Sequence, residues 1–300
     1  MKELKTLFKD VLKKFGFRNF LKGIQKSVNY QNNINVSGVT LKTLHLYGAL
    51  CKVEEPWMLT VLGLTLKIKS KGFLDVGVNL GQTLMEVKSL APDIPYVGFE
   101  PNASCVMYVE ELVRINDFKN VTLVPAGLFT SDTVLNLDLY YDDITNSGGS
   151  IIKDYWSYTQ NHPVHRKLIV PVFTYKTIAS SIDNINFDIL KIDVEGAEME
   201  VLETLLDEIK NRLPIIIIEI LSAYSADNEI RVRRQNKILQ IVQDIGYNML
   251  LIIEDKEGRL KEVKPLDSFD VNGDPNQCNY IFYSANDSEK MKSVFEKYLK

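Results

Sequence analysis

The chain has 300 residues, of which 45% are hydrophobic and 25% are charged, the composition of an ordinary globular protein with a sizeable core. Its formal net charge of -4 excludes the strongly basic surface with which proteins bind nucleic acid. No apolar run approaches the ~18 residues that a membrane span needs, and no apolar stretch at the start resembles a signal peptide. We therefore expect a cytoplasmic protein.

The first 28 residues differ from the rest because they hold eight Lys or Arg side chains and only two acidic ones. Apolar residues at i, i+3 and i+4 spacing predict a basic amphipathic helix over residues 2–15. Two interpretations stay open for this segment. Residues 2–26 contact an anionic membrane surface peripherally, or the helix packs on the domain or on a second subunit of a homo-oligomer.

Residues 29–35 are rich in asparagine and predict a loop, whereas 39–50 and 53–68 have helical patterns. We therefore predict an N-terminal helical region over residues 1–70. The pattern becomes regular only afterwards, and residues 71–300 are predicted to form one larger domain.

In that domain, short apolar runs alternate with helical segments. The alternation predicts a doubly wound, Rossmann-like α/β fold with a mostly parallel sheet and helices on both faces. The predicted strands are 73–76, 96–99, 121–124, 188–192, 214–220, 248–253 and 279–284, and the predicted helices are 82–90, 103–115, 197–211, 229–245 and 286–299.

Residues 131–175 interrupt this alternation. Within them, 133–140 and 168–175 have the pattern of an antiparallel strand pair, and a polar loop separates the two. A long insertion at the carboxyl edge of a parallel sheet usually serves function, so we expect this one to lie over the site.

A glycine turn follows the first strand of the domain. The strand ends in Asp75, and the chain then passes through Gly77, Asn79 and Gly81 into a helix. This arrangement favours a nucleoside cofactor at the helix N-terminus. A dinucleotide site would need a third glycine instead of Asn79, and Asp75 would repel a diphosphate. The cationic, phosphate-free cofactor S-adenosylmethionine fits better.

The next strand ends in Glu100, followed by Pro101 and Asn102. In a doubly wound fold this position lies beside the glycine turn, where a carboxylate accepts hydrogen bonds from both ribose hydroxyls. We therefore predict that this segment binds the nucleoside part of the cofactor.

Acidic residues gather at the ends of two later strands. One strand delivers the candidate catalytic residues Lys191, Asp193 and Glu195, and the next ends in Glu219. In extended geometry we expect Asp193 and Glu195 to face one way. Either one carboxylate acts as a general base for an acceptor hydroxyl, or Asp193 and Glu219 bind a divalent cation such as Mg²⁺. The structural alternative is a Lys191 salt bridge with helix capping by Glu198.

Two further groups of side chains leave alternatives open. His162 and His165, in the inserted loop, are either substrate-binding or ordinary surface residues. Arg231, Arg233 and Arg234 either hold the diphosphate of a nucleotide-sugar or form a solvated helix face.

Together these motifs resemble the FkbM family of S-adenosylmethionine-dependent methyltransferases. The resemblance spans about residues 72–222 and is most specific in the Asp-Val-Glu-Gly-Ala-Glu stretch at 193–198. The sequence departs from the family pattern at Val78, where alanine is usual. We expect the β-branched side chain of Val78 to narrow the turn. The segments that carry the resemblance are Asp75–Gly81, Phe99–Asn102, Val170–Val172, Lys191–Glu198 and Ile218–Glu219.

The resemblance implies a class I methyltransferase sheet of seven strands with an antiparallel last strand. It also implies O-methylation of a sugar or nucleotide-sugar, as in the biosynthesis of surface polysaccharides such as capsule or lipopolysaccharide. Carried over by position, Asp75, Gly77, Asn79 and Gly81 hold the methionine end of the cofactor, Glu100 holds the ribose, and a small-residue loop with Ser147, Gly149 and Ser150 lies near the substrate.

Three other functions remain as alternatives. An NAD-dependent oxidoreductase or epimerase would share the Rossmann-like fold but would want a Tyr-x-x-x-Lys proton relay that is absent where the sheet needs it. A nucleic-acid methyltransferase is disfavoured by the acidic pI of about 5.6. A non-catalytic binding module would keep its function after replacement of Asp193.

Overall fold

The computed structural model describes residues 30–46, 48–53, 55–141, 148–153, 155–156, 163–182, 186–271, 274 and 277–300. The amphipathic helix predicted over 2–15, the membrane contact through 2–26 and the predicted site residues Ser147 and His162 lie outside them. Among the described residues, no helix is both long and apolar enough to cross a membrane.

Strands and helices alternate over residues 73–124, and the later elements include runs of consecutive strands. The strands are β1 (Tyr30–Val36), β2 (Val39–Leu46), β3 (Ala49–Leu50), β4 (Phe73–Val76), β5 (Tyr96–Phe99), β6 (Val121–Val124), β7 (Gly127–Leu128), β8 (Thr133–Leu139), β9 (Arg166–Phe173), β10 (Ile189–Ile192), β11 (Ile215–Glu219), β12 (Tyr247–Glu254), β13 (Leu260–Leu266) and β14 (Asn279–Ser284). The helices are α1 (Pro56–Thr65), α2 (Gln82–Leu90), α3 (Ala103–Asn116), α4 (Tyr175–Ala179), α5 (Glu198–Thr204), α6 (Leu206–Arg212), α7 (Glu229–Asp244) and α8 (Ser288–Phe295), with a 3₁₀ turn at Ala285–Asp287.

The central sheet has eight strands in the order β13-β12-β14-β11-β10-β4-β5-β6. The five strands from β11 to β6 are parallel, whereas β14 runs antiparallel between β11 and β12. Continuous apolar runs such as Ile215–Ile218 form the middle strands because both faces of the sheet are covered. The doubly wound fold and its antiparallel last strand are therefore confirmed.

The eighth strand, β13, was missed by the sequence prediction. It pairs with β12 at the edge of the sheet and contains Lys261, Lys264 and Pro265. Charged residues and proline are typical of edge strands, where they blunt unwanted pairing. The same residues weaken the hydrophobic pattern from which a strand is predicted.

Helices cover both faces of the sheet. One core cluster joins α1, α2, α3 and α8 to side chains such as Phe73 and Ile189. The other joins α4, α5, α6 and α7 to the neighbouring positions Leu74 and Leu190. Successive strand residues thus enter opposite layers, and the carboxyl ends of the parallel strands remain open for a site.

The N-terminal region corrects the sequence prediction. Residues 30–50 form a three-stranded antiparallel sheet, β1-β2-β3, and not a loop followed by a helix. Ser37 and Gly38 both have positive φ, 52° and 83°, in the two-residue hairpin turn. The apolar residues Leu41 and Leu44 fit helical spacing, but the hairpin pairing overrides it. The helix predicted over 53–68 is confirmed as α1.

The two strands of the inserted segment join β7, which precedes the segment, in a small sheet with the order β7-β9-β8. The predicted antiparallel pair is confirmed as β8 and β9, with Leu135 opposite Val170. From this sheet Leu137 reaches the cavity at the carboxyl edge of the central sheet. The insertion therefore lies over that edge, as expected.

Candidate active site

The glycine turn brings the end of β4 against the end of β10. Gly77 has φ +95°, and a Cβ placed there would lie 1.7 Å from the backbone oxygen of Asp193. Only glycine allows this approach. The Gly77 N–H donates to the Phe99 carbonyl at 2.9 Å, which ties the turn to β5. Asn79, with φ 48°, and Gly81, with φ 83°, complete the turn into α2.

Glu100 is held by two backbone amides. The Asn79 N–H donates to its Oε2 at 2.9 Å, and the Asn102 N–H donates to its Oε1 at 2.8 Å. Burial raises the pKa of Glu100 to about 7, against the effect of these hydrogen bonds. The Asn102 side chain is occupied, since it accepts from Ser104 N at 3.0 Å as the cap of α3. The cradle leaves a free lone pair on each carboxylate oxygen.

Asp75 is fully buried and organises the site from beneath. It accepts a hydrogen bond from the Tyr96 hydroxyl and lies 3.5 Å from Nζ of Lys191. The same Nζ lies 3.2 Å from Oδ2 of Asp193 and 3.2 Å from the Gly77 carbonyl. Burial alone would lower the pKa of Lys191, but the Asp193 and Asp75 carboxylates raise it. The structural alternative for Lys191, an ion pair, is thus present.

Three carboxylates converge at the ends of β10 and β11. One oxygen from each of Asp193, Glu195 and Glu219 lies within 4.8 Å of the others. Burial and the Asp193 charge raise the pKa values of Glu195 and Glu219 well above their usual range. Lys191 and the Glu219 hydrogen bond lower the pKa of Asp193, against the effect of burial. Asp193 is therefore the carboxyl group of the three that ionises most readily.

The expected extended geometry of this segment is wrong. Glu195 has φ 52° in a left-handed turn, so it reaches the carboxylate group because the chain turns after Ile192. The Ser150 hydroxyl donates to the Glu195 carbonyl at 2.7 Å, and Glu198 accepts from Gly196 N at 2.7 Å. Glu198 thus fixes the turn before α5, whose N-cap residue Ala197 makes no side-chain capping hydrogen bond, and Ser150 links the insertion to the turn.

Behind Glu195, the Arg231 side chain is enclosed by aromatic rings. Its guanidinium carbon lies 4.6 Å from the Tyr155 ring centre, 5.1 Å from that of Trp156 and 5.3 Å from that of Tyr224. Such contacts stabilise a buried cation. One guanidinium nitrogen donates to the Ser222 carbonyl at 2.8 Å. The arginine is only 1% exposed.

Neither interpretation of the three arginines fits all of them. Arg231 is buried, Arg234 pairs with the Glu200 carboxylate, and Arg233 is exposed to solvent. Only Arg233 belongs to a solvated helix face. Among the described residues, none of the three lines the main cavity.

That cavity has a volume of about 380 Å³ and lies between the Glu100 cradle and the carboxylate group. Predicted residues that line it are Gly77, Asn79, Glu100, Pro101, Asn102, Gly149, Asp193, Glu195 and Glu219. Predicted residues of the described part that do not line it are Asp75, Gly81, Ser150, His165 and Lys191. Lining residues that sequence reasoning missed include Glu55, Gln82, Phe99, Cys105, Leu128, Leu137 and Ile151.

The signals for these missed residues differ. Phe99 and Leu137 follow from the strand patterns, since each stands at or near a strand end beside the site. Glu55 has no such signal, because it comes from the segment before α1, far from any motif. His165 is exposed, with its backbone N–H donating to the Leu139 carbonyl at 2.8 Å.

Val78 does not narrow the turn as expected. Its side chain is 2% exposed and belongs to the core between the sheet and α2. A Cβ on Gly98 would lie 2.6 Å from a Val78 methyl group. Because Gly98 on β5 has no side chain, there is space for the Val78 side chain. The departure from the family pattern is therefore compensated within the core.

The sheet order and the placement of the site define the class of the protein. Strands β6-β5-β4-β10-β11-β14-β12 have the seven-stranded order of class I methyltransferases, with β13 added at one edge. Residues 75–249 match the family model described as the Methyltransferase FkbM domain. Because the match covers more than half of the chain, the chain belongs to the FkbM methyltransferase family.

The individual relatives have low sequence identity to this chain. Methyltransferase 1 of Beauveria bassiana is 26% identical over 164 residues, which cover 49% of this chain and 63% of that protein. A methyltransferase FkbM from Methylobacillus flagellatus KT has a solved structure that is 15% identical, with a TM-score of 0.44 over 71% of this chain and 44% of that one. The SAH-bound methyltransferase PaMTH1 of Podospora anserina is 12% identical, with a TM-score of 0.42 over 76% of each chain.

Proposed function

We propose that this chain is an S-adenosylmethionine-dependent O-methyltransferase that acts on a hydroxyl of a sugar or nucleotide-sugar, in surface polysaccharide biosynthesis. One observation carries the proposal. The cradled Glu100 and the converging carboxylates of Asp193, Glu195 and Glu219 line the same cavity. A nucleoside-binding group thus stands opposite groups able to take a proton from an acceptor.

The residues fit this cofactor. Each Glu100 oxygen keeps a lone pair for a ribose hydroxyl while a backbone amide fixes its position. The cavity is lined by several carboxylates, which attract a sulfonium cation and repel a diphosphate. Membership in a methyltransferase family supports the same choice over NAD.

When bound, the cofactor supplies an electrophilic methyl group on sulfur. Glu100 and the glycine turn would hold its nucleoside, and the acceptor oxygen would take the methyl group while the sulfur keeps the bonding electron pair. The hydroxyl proton would pass to Glu195, which lines the cavity together with Asp193. A raised pKa makes this carboxylate a stronger base in its ionised form.

The acceptor is proposed from the polarity of the cavity. Carboxylates accept hydrogen bonds and donate none when ionised, so they suit a ligand rich in hydroxyl donors. A sugar offers several such donors on adjacent carbons. The phosphates of a nucleotide-sugar would then lie away from Asp193, Glu195 and Glu219.

A divalent cation is the second candidate role for these carboxylates. Asp193, Glu195 and Glu219 present oxygens close enough together to hold one ion, and carboxylate oxygens are the ligands that Mg²⁺ prefers. Bound there, a cation would lower the pKa of the acceptor hydroxyl. Activity measured with Mg²⁺ and with a chelator decides between the two roles. If a bound ion activates the acceptor, the chelator abolishes activity, whereas activity that depends on a carboxylate base is retained.

The cofactor is tested by titration calorimetry with S-adenosylmethionine, S-adenosylhomocysteine and NAD. We expect the first two to bind the native chain and the Glu100→Ala variant to bind them at least about tenfold more weakly. Glu111→Gln is the control, because this side chain on α3 is 40% exposed and is absent from the described lining of the main cavity. Binding of NAD alone would overturn the proposal.

The acceptor is tested with methyl-labelled cofactor and a panel of sugars and nucleotide-sugars. A methyl ether survives mild alkali, whereas a methyl ester is hydrolysed, so the product distinguishes hydroxyl from carboxyl methylation. We expect an alkali-stable product whose formation is lost in Glu195→Gln. Label on an amine or a carboxylate would contradict O-methylation of a hydroxyl.

A further inference from the structure

Residues 149–151 of the inserted segment form one wall of the main cavity, the insertion wall. Gly149 and Ile151 line the cavity directly. Ser150, between them, donates a hydrogen bond from its hydroxyl group to the Glu195 carbonyl at 2.7 Å. The insertion wall therefore lies beside the proposed base, and its position limits the space that an acceptor can occupy.

Two aromatic residues follow the insertion wall closely in the chain. The Tyr155 ring is buried against Gly196, where a Cβ would lie 2.8 Å from the ring carbons. The rings of Tyr155 and Trp156 meet edge to face, with their centres 5.6 Å apart. These rings attach the insertion to the turn that carries Glu195.

Arg231, in the first turn of α7, joins these rings to another part of the chain. Its guanidinium group stacks against Tyr155 and Trp156 of the insertion. The same group stacks against Tyr224 in the loop between β11 and α7, and it donates to the Ser222 carbonyl in that loop at 2.8 Å. One side chain therefore holds the insertion against the loop that follows β11.

Stability alone does not explain the burial of Arg231. The side chain is 1% exposed, and charged side chains are rarely so buried unless they are paired. Within the described part of the chain, its Nε and Nη2 atoms and the Nε1 atom of Trp156 are buried without a hydrogen-bond partner. Because unpaired buried donors cost stability, the stacking contacts hold the arginine at a position that core packing would not favour.

Tyr224 completes the enclosure in a strained conformation. Its φ of 65° lies in the left-handed region, which is uncommon for a bulky residue. Since the side chain remains 36% exposed, burial of the ring does not account for this strain. The conformation does place the ring 5.3 Å from the guanidinium carbon of Arg231. Strain of this kind is typical of functional sites.

We propose that Arg231 is a positioning residue for acceptor binding, because its stacking between the insertion and the loop after β11 holds the insertion wall over the acceptor side of the cavity. This inference rests on the proposed methyltransferase function. The proposed nucleoside contact depends instead on Glu100, which backbone amides of the turn region hold in place. Loss of Arg231 should therefore weaken acceptor binding and leave cofactor binding intact.

The first test follows the insertion by fluorescence. The chain has two tryptophans, Trp57 and Trp156, so Trp57→Phe leaves Trp156 as the single emitter. In this background we expect acrylamide to quench Trp156 more strongly after Arg231→Met, because the ring loses its stacking partner. Arg233→Met removes the same charge from an exposed position on α7 and should leave the quenching unchanged. Equal quenching before and after Arg231→Met would overturn the proposal.

The second test separates the acceptor from the cofactor. Its probe is the member of the sugar and nucleotide-sugar panel that the native chain methylates fastest. We expect Arg231→Met to raise the KM for this probe about tenfold and to leave the calorimetric Kd of S-adenosylhomocysteine within about twofold. A merely structural role would weaken binding of both ligands, and either that result or an unchanged KM would overturn the proposal.

Arg231→Lys separates stacking from charge. Burial raises the pKa of Glu195, and the Arg231 charge opposes this effect, so loss of the charge could act on the proposed base directly. Lysine keeps the charge but lacks the planar group that stacks on rings. We expect Arg231→Lys to share the raised KM of Arg231→Met. A native KM in the lysine variant would assign the effect to charge and overturn positioning by stacking.

Tyr224 offers variants that leave the buried arginine in place, and these decide the matter if Arg231→Met does not fold. Tyr224→Asn removes the ring and suits the left-handed backbone, whereas Tyr224→Phe keeps the ring. We expect a higher KM in Tyr224→Asn than in Tyr224→Phe, and equal values would overturn the proposal. If the native chain methylates no member of the panel, the proposed function is overturned instead, and the acceptor role of Arg231 with it.

Discussion

Two parts of the site are held in place by different kinds of contact. The turn region, residues 77–81 and 100–102, is fixed by backbone conformation and by amides that grip Glu100. The acid region, residues 149–156, 193–198 and 219–231, is fixed largely by side chains from distant segments, such as the Ser150 hydroxyl on the Glu195 carbonyl. In the turn region, closely packed backbone atoms leave no space for a larger side chain. In the acid region, the side chains that hold the chain in place can shift.

The largest expected effect tests the rigidity of the turn region. In Gly77→Ala the new Cβ would lie 1.7 Å from the Asp193 carbonyl oxygen, at a φ of +95°. Neither backbone can yield without moving a sheet strand, so we expect the free energy of unfolding to fall by more than about 4 kcal/mol. Chemical denaturation measures it. A loss below about 1 kcal/mol would mean that the turn is as adaptable as the acid region.

The next effect concerns chemistry in the acid region. Glu195→Gln keeps the shape but removes the proposed base, so we expect kcat to fall by about 10²- to 10⁴-fold. Because burial raises the pKa of Glu195, activity of the native chain should rise with pH as this group ionises. The variant should lose that pH dependence. An unchanged profile in the variant would transfer the role of base to another group.

A matched glycine substitution probes the acid region for adaptability. In Gly196→Ala the new Cβ would lie 2.8 Å from ring carbons of Tyr155, at a φ of +115°. The ring can shift where a backbone could not, so we expect a loss of about 2 kcal/mol, smaller than for Gly77→Ala. The KM for the acceptor should rise while cofactor affinity is retained. Equal losses at both glycines would remove the contrast between the two regions.

The smallest effect has the opposite sign. The pKa of Glu86 is raised from its usual range to about 8 in the folded chain, so the folded state binds a proton more tightly than the unfolded state does. Stability contributed by this group is present below about pH 4 and is lost as the pH rises toward 8. Glu86→Gln should therefore be about 1–2 kcal/mol more stable than the native chain at pH 8.

Melting curves at pH 4 and pH 8 measure this difference. We expect the variant and the native chain to converge at pH 4, because both side chains are then neutral. Lower stability of Glu86→Gln at pH 8 would show that the carboxylate has a stabilising partner in the folded chain.

The sequence by itself determined the part of the fold built from local patterns. Strands 73–76, 96–99 and 121–124 agree with the structure to the residue, because a buried parallel strand is a short apolar run bounded by turn residues. The glycine turn and Glu100 follow from the same strands, since parallel strands end at one edge of the sheet. This is why the turn region was predictable from sequence.

Tertiary structure decided the rest. The hairpin at 30–46 overrides helical spacing through pairing between strands, and the single predicted helix at 197–211 is two helices that meet at Leu205. Glu195 joins the carboxylate group through a left-handed turn that no spacing rule encodes. Arg231 enters an aromatic enclosure, and Glu55 reaches the main cavity, through contacts between segments far apart in the chain. Such contacts depend on packing in three dimensions, which local sequence patterns do not report.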